Sequence, residues 1–268
     1  MRVAFHVVEA RRNALARQLR RHGYLTLARV CRRLGVSPAT ARRDLAALAR
    51  EGIITRTYGG ALGDYDRRFP SFRARQRKAQ ASKRRLAQAA LRMLRPGMTV
   101  FFDAGTTIYS IGEALASHPV SRITAVTNAL HLAEALGGSK VITVQLVGGE
   151  FLARQSILVG PQAQRSAALW RFDLALLSAE GMTPAGLWNS QADIVAFQRK
   201  VATRSRRVVC CLDATKLGRK TPAFLLPWSR VDGLLTEATA RELREAGIIL
   251  PGSKIFTANP LTRRKPSP

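Results

Sequence analysis

From about residue 83 onward, short apolar runs alternate with helical stretches, and this pattern restricts the fold more than any other feature. A helix "RRLAQAALRML" meets a stop at Pro96-Gly97 and is followed by the strand-like "TVFFD". Then come "RITAVT", "VITVQLVGG", "FDLALLSAE" and "RVVCCLDA", each after a helical segment, and finally "VDGLLTEA". Strands separated by helices pair in parallel, because a crossover returns the chain to the same end of the sheet. The expected fold class is therefore α/β with a mainly parallel sheet.

In such sheets ligands sit beyond the carboxyl ends of the strands, and polar residues fall there. "TVFFD" runs into Asp103, Gly105, Thr106 and Thr107 at the start of a helix, whose N-terminus favours an anion. Thr127 and Asn128 follow "AVT", Gly148 and Gly149 end "VQLVGG" ahead of Arg154, and "CCLDATKLG" brings Asp213 and Lys216. Threonine hydroxyls, glycine-freed backbone and basic side chains together fit a small polar anion such as a phosphorylated sugar. The four histidines have no metal-ligand spacing, and no cofactor or metal motif occurs. "GIILPGSK" has Ser and Lys in the wrong order for a phosphate loop.

The N-terminal 50 residues have a different rhythm. A first helix carries Ala14, Leu15 and Leu19 and stops near Gly23. A second opens after Thr26, with Leu27, Val30, Cys31 and Leu34 on one face. Gly35 can end it in a left-handed cap. Only Val36 separates that stop from Ser37, which caps a third helix with Pro38 in its first turn. Two helices joined by a short glycine turn are a helix-turn-helix. A helical wheel of the third helix puts Ala41, Leu45 and Leu48 on the core face. Arg43 and Arg50 lie opposite with Ala39, Ala46 and Ala47, Thr40 sits near the edge, and Arg42 at a flank. Small residues admit a helix to a groove, and arginine then reaches guanine edges or phosphates. Ala39, Thr40 and Arg43 are expected near bases and Arg42 on phosphate, with Thr26, Ser37 and Arg50 completing the helical contact set. "IITRTYGGAL" reads as a β-wing offering Arg56 and Tyr58.

Charge agrees with that assignment. The chain carries 44 Lys+Arg against 17 Asp+Glu, and residues 1–95 hold 24 of the bases and only 5 of the acids. Such an excess points to a polyanion. Residues 63–85 are charge-dense, with Phe69 and Phe72 as anchors for partial docking. The three cysteines have no disulfide or zinc spacing, which fits a reducing compartment. The start "MRVAFHVVEA" is too short and broken for a signal peptide, and no apolar run reaches transmembrane length. A cytoplasmic protein without membrane association is expected.

The words "VSPATARRDLAALAREGIITRTYGGA", "DAGTT", "VTNAL", "LVGGE", "FDLALLSAEG" and "DATKLG" resemble the DeoR family of bacterial transcription regulators, from about Arg11 to Glu237. The resemblance implies a winged helix-turn-helix joined to a sensor with a ribose-5-phosphate isomerase-like fold. It implies a phosphorylated sugar or related metabolite as inducer, repression of carbohydrate metabolism genes, and a homo-oligomer on double-stranded operator DNA. By position, Asp103, Gly105, Thr106, Thr107, Gly148, Gly149, Arg154 and Lys216 would line the effector pocket. Ala41 stands where the family has isoleucine. "GLWNSQADIVAFQRKV" offers Asp193, with Trp188 nearby, where the family has a glutamate. The expected organisation is a DNA-binding domain over 8–62, a basic linker over 63–82, an effector-binding sensor over 83–260 and a basic flexible tail over 261–268. The competing reading is a sugar-phosphate isomerase or deaminase with a basic N-terminal extension, in which Asp103 and Lys216 do acid–base work. An RNA-binding protein is a third.

Overall fold

The computed structural model describes residues 5–22, 24–51, 53–57, 60–63, 71–153 and 155–258. Tyr58, Phe69, Arg154 and the 261–268 tail lie outside the described residues, and Arg56 is described for its backbone alone.

The N-terminal part runs α1 (Phe5–His22), β1 (Tyr24–Thr26), α2 (Leu27–Leu34), α3 (Pro38–Arg50), β2 (Ile54–Thr57) and β3 (Gly60–Gly63). Gly35 ends α2 at φ 62° with its N–H on the Cys31 carbonyl, a left-handed cap that L side chains rarely adopt. Val36 then leads directly into the Ser37 cap of α3. Leu15, Leu19, Leu25, Val30, Ala41, Leu45 and Leu48 form the core, and Cys31 is only half-buried at its margin. The wing has a third strand, since β1 pairs with β3 in the order β1-β3-β2. The three residues "YLT" are too few to display a strand period in sequence.

The remainder runs α4 (Phe72–Gln76), α5 (Gln80–Leu91), β4 (Thr99–Phe102), α6 (Thr106–Ser117), β5 (Ile123–Thr127), α7 (Leu130–Gly137), β6 (Ile142–Leu146), β7 (Glu150–Leu152), β8 (Ile157–Val159), α8 (Gly160–Ala168) and β9 (Leu174–Leu177). It continues with β10 (Gly181–Thr183), β11 (Gly186–Asn189), α9 (Ala192–Thr203), β12 (Val208–Cys211), β13 (Ala223–Leu226), β14 (Gly233–Thr236), α10 (Ala240–Glu245) and β15 (Ile255–Thr257). A seven-stranded parallel sheet has the order β15-β14-β12-β9-β4-β5-β6. The fold is α/β, as the alternation of helices and strands requires. All six expected strands are in this sheet; the seventh, β15, adds three residues at one edge. An antiparallel β10-β11-β13 sheet and a β7-β8 hairpin stand outside it.

Side chains of each central strand alternate between two cores. Val100 and Phe102 join one core with Leu86 of α5, Ile108 and Ile111 of α6 and Leu132 of α7. Phe101 joins the other with Ala163 of α8 and Phe197 of α9. The central strands are thus covered on both faces, which explains why they read as nearly unbroken apolar runs. Cys210 and Cys211 point into opposite cores, and burial pushes both thiols up. Among the described residues no helix is long and apolar enough to cross a membrane, and no group of His, Cys, Asp or Glu is placed to hold a metal.

Candidate functional site

The chain leaves β4 on one side of the sheet, builds β5 and β6, and returns to place β9 on β4's other flank. Strand order reverses between β4 and β9, and the crevice beyond their carboxyl ends is where α/β sheets bind ligands. A cleft of about 650 Å³ opens there, of a size that fits a small metabolite. Its floor comes from Gly105, Thr106 and Thr107 after β4, Ser178 and Glu180 after β9, and Asp213, Thr215 and Lys216 after β12. Asn189 at the end of β11 and Ser190 after it, Gln155 from the β7-β8 turn, and Arg219 and Thr221 complete its sides.

Gly105 has a steric reason to be glycine. A Cβ there would stand 2.5 Å from the Ser178 hydroxyl. That hydroxyl and the Ser178 N–H both donate to the Asp103 carboxylate, at 2.9 and 2.8 Å. Gln198 Nε2 donates to the same oxygen at 2.6 Å. Asp103 is therefore a fully buried tie across the β4-β9 crevice. Burial raises its pKa, opposed by the hydrogen bonds from Ser178 and Gln198. Thr106 and Thr107 open α6, whose N-terminus has no side-chain cap. Its first N–H groups and the positive end of the helix are thus directed at the cleft.

Of the expected effector residues, Gly105, Thr106, Thr107 and Lys216 line the cleft, and Asp103 lies beneath it. Four others stand to one side, at the ends of β5 and β6. The Thr127 hydroxyl accepts from the Ala129 N–H at 3.0 Å. Asn128 Nδ2 donates to the Leu158 carbonyl at 3.0 Å, tying β5 to β8. Gly148 lies near Gln162, and Gly149 packs on Val159 and Ala163. Asp193 is exposed on the first turn of α9. Trp188 stacks edge-on against Phe224, centroids 4.9 Å apart, beneath the Lys220 ammonium.

Sequence reasoning missed much of the wall. Arg75, Lys78 and Lys83 line the cleft, although 63–82 reads as a linker and Lys83 as the first residue of the sensor. The charge density of that stretch and its docking at Phe72 were visible; the side chains it brings to the cleft were not. Lys83 is 4% exposed and donates to the carbonyls of Arg75 and Lys78, each at 2.6 Å. Burial lowers its pKa to about 8, against the raising influence of Asp213. Burial also lowers Lys216, again offset first by Asp213. Gln155 is 6% exposed and its buried Nε2 has no partner among the described residues.

The helix-turn-helix presents a second surface. Ala39, Arg42, Arg43 and Arg50 are exposed and Thr40 is half-buried. Ser37 accepts from the Thr40 N–H at 3.2 Å, and Thr26 from Arg29 N–H at 3.2 Å, so both hydroxyls cap their helices. Ala47 departs from the wheel: it is 2% exposed rather than outward. It lies next to the face of Asp44, which is 1% exposed and held by α1. Arg11 grips Asp44 through two nitrogens at 2.6 and 3.2 Å, and Arg12 adds a third contact at 3.1 Å. The Asp44 hydrogen bond raises the Arg11 pKa despite partial burial. Arg11 and Arg12 of α1 thus cover α3 at Asp44, leaving Ala39, Arg42, Arg43 and Arg50 exposed.

Residues 11–64 match the DeoR-like helix-turn-helix domain, and residues 78–238 match the DeoR C terminal sensor domain. The HTH-type transcriptional regulator UlaR of Shigella dysenteriae serotype 1 is 29% identical over 240 residues, covering 87% of this chain and 93% of that protein. A protein of Escherichia coli O157:H7, provisionally assigned as an aga operon transcriptional repressor, is 27% identical over 247 residues, 89% of this chain and 91% of its own length. Among solved structures, ribose 5 phosphate isomerase A from Neisseria gonorrhoeae aligns with a TM-score of 0.37 at 18% identity, covering 53% of this chain and 54% of that one. With both domain models matched in order, the chain belongs to the DeoR family of transcriptional regulators.

Proposed function

We propose that this protein represses carbohydrate metabolism genes by binding operator DNA through α3 and the wing, and that a phosphorylated sugar in the sensor cleft releases it. The observation that carries the ligand class is the charge of the cleft. Five bases, Arg75, Lys78, Lys83, Lys216 and Arg219, line it with two carboxylates, Asp213 and Glu180. Asp213 accepts from the Thr215 N–H and hydroxyl, and Glu180 accepts from Ser190. The net excess of positive charge, together with the open N-terminus of α6, favours a multiply charged anion. Gln155 and Asn189 supply polar groups for the uncharged part of a sugar. The buried Gln155 nitrogen lacks an acceptor among the described residues, and a ligand oxygen would supply one.

Regulation rather than turnover is supported by Asp103. Its carboxylate is engaged by Ser178 and Gln198, so it is poorly placed to exchange a proton with a substrate beside Lys216. The relatives named above are transcriptional regulators. The DNA contacts assigned to Ala39, Thr40, Arg42, Arg43 and Arg50, with Thr26 and Ser37 at helix N-termini, rest on the exposed face of α3 and on the basic excess of the first 95 residues. Arg56 and Tyr58 of the wing are assigned from sequence. We place the protein in the cytoplasm, as a homo-oligomer.

The test is a thermal-shift screen of phosphorylated sugars followed by DNA shift assays. A ligand bound by the folded state alone raises the melting temperature. The expected result is a set of sugar phosphates that stabilise the protein and weaken its hold on operator DNA. DNA affinity unchanged by every stabilising compound would refute induction, and turnover of any of them would favour the isomerase reading.

A further inference from the structure

The segment between the two domains is part of the cleft. It begins at Ser71, whose hydroxyl accepts from the Ala74 N–H at 3.3 Å to start α4. Phe72 is 8% exposed and packs on Tyr109 of α6 and His131 of α7, with ring centroids 5.2 and 4.5 Å away. This plants one end on the sensor. The other end is held by Lys83, whose buried ammonium donates to the carbonyls of Arg75 and Lys78. Between α4 and α5 the chain turns at Ala79 with φ 49°. A non-glycine residue is strained in that region and persists where surrounding contacts determine it. The segment is therefore folded down deliberately, and the side chains it brings to the cleft are Arg75 and Lys78.

We infer that Arg75 and Lys78 contact the anion bound in the cleft, so that effector occupancy pins the interdomain segment and is reported through the chain itself to the DNA-binding module. This rests on the sugar-phosphate reading above and adds the route by which binding is transmitted. Arg75, Lys83 and Lys216 are close enough that, after burial and the opposing influence of Asp213, like charge contributes to the lowered pKa values of both lysines. An anion among them relieves that repulsion and draws the segment onto the strand ends. Along the sequence only residues 64–70 separate Ser71 from Gly63 of the wing, a tether spanning at most about 25–30 Å. A state in which the segment is clamped and one in which it is looser thus allow the module different ranges of position. A ligand with different affinity for the two states shifts their balance.

The test uses the full chain, with inorganic phosphate, ribose 5-phosphate and glucosamine 6-phosphate as probes. Calorimetry measures probe affinity, hydrogen exchange reads the 71–79 amides, and a shift assay reads DNA affinity with and without probe. In the wild type, the bound probe should slow exchange at 71–79 by about tenfold or more. The Arg75→Gln/Lys78→Gln variant should bind the probe at least about tenfold more weakly, as expected for lost charge-assisted bonds. Lys78→Arg should retain binding, which separates lost charge from lost structure. Phe72→Ala should still bind the probe while its DNA affinity responds at least several-fold less. Equal probe affinity in the double variant, or no change in exchange at 71–79 on binding, would overturn the inference while leaving the sugar-phosphate reading intact. If no probe binds the wild type, both fall together.

Discussion

Two buried polar residues with opposite surroundings show what a single side chain can be doing here. Asp103 has its donors in place, from Ser178 and Gln198. Replacing it with asparagine puts an N–H₂ or a weaker acceptor against them, and should cost about 1–3 kcal/mol in urea unfolding. Gln155 has a buried nitrogen with no partner among the described residues. Gln155→Leu should leave the ligand-free protein at least as stable, because an unsatisfied donor is removed from a buried site. The same variant should narrow the difference in thermal shift between inorganic phosphate and sugar phosphates. A marked loss of stability without ligand would show that Gln155 supports the fold instead. Neither role is legible in sequence. "DAGTT" marks Asp103 as important without saying that it faces Ser178, 75 positions away. Gln155 carries no motif at all.

Elements divide the basic residues between architecture and contact. On α3, Asp44 takes Arg11 and Arg12 out of the DNA-facing set. Asp44→Ala should destabilise the N-terminal module by about 1–3 kcal/mol, since two guanidinium groups lose a partner that is 98% buried at the side chain. A separate early unfolding transition in calorimetry would check this. On the open face, Arg43→Ala should relax sequence preference across a panel of operator variants, whereas Arg42→Ala should weaken binding evenly. Indistinguishable profiles would end that distinction. The helical wheel was a good guide to Ala41, Leu45, Leu48, Arg43 and Arg50. It erred at Ala47, which is buried outside the one stripe assigned to the core, as is Asp44 beneath Arg11 and Arg12. The central strands β4, β5, β9, β12 and β14 were legible because burial on both faces makes each a nearly continuous apolar run. Strands β1, β10, β11, β13 and β15, each three or four residues long, were not, since pairing rather than pattern creates them.

At the scale of the whole molecule, the basic N-terminal third should make DNA binding strongly salt-dependent, with each neutralised phosphate contributing nearly one unit to the log–log slope. Lys83 links stability to pH in a defined window. Its pKa in the folded protein is about 8, below the ordinary lysine value, so the unfolded chain binds more protons between about pH 8 and 10.5. Stability relative to Lys83→Met should therefore rise with pH across that window, by at most about 1.4 kcal/mol per unit, and be flat below it. Urea unfolding at pH 7, 8, 9 and 10 reads the difference. The sequence by itself determined two domains, the helix-turn-helix, the parallel sheet and the end of the sheet at which a ligand would sit. Each of these follows from local periodicity, caps and breakers, which neighbouring residues suffice to specify. Only the tertiary structure decided which strand-end residues meet. It set Thr127, Asn128, Gly148 and Gly149 to one side of the cleft, tied Asp103 beneath it, and folded the basic interdomain stretch over it. Those outcomes depend on strand order and on contacts between residues far apart in the chain, and strand order is fixed by which buried faces pack together, not by the residues along any one strand.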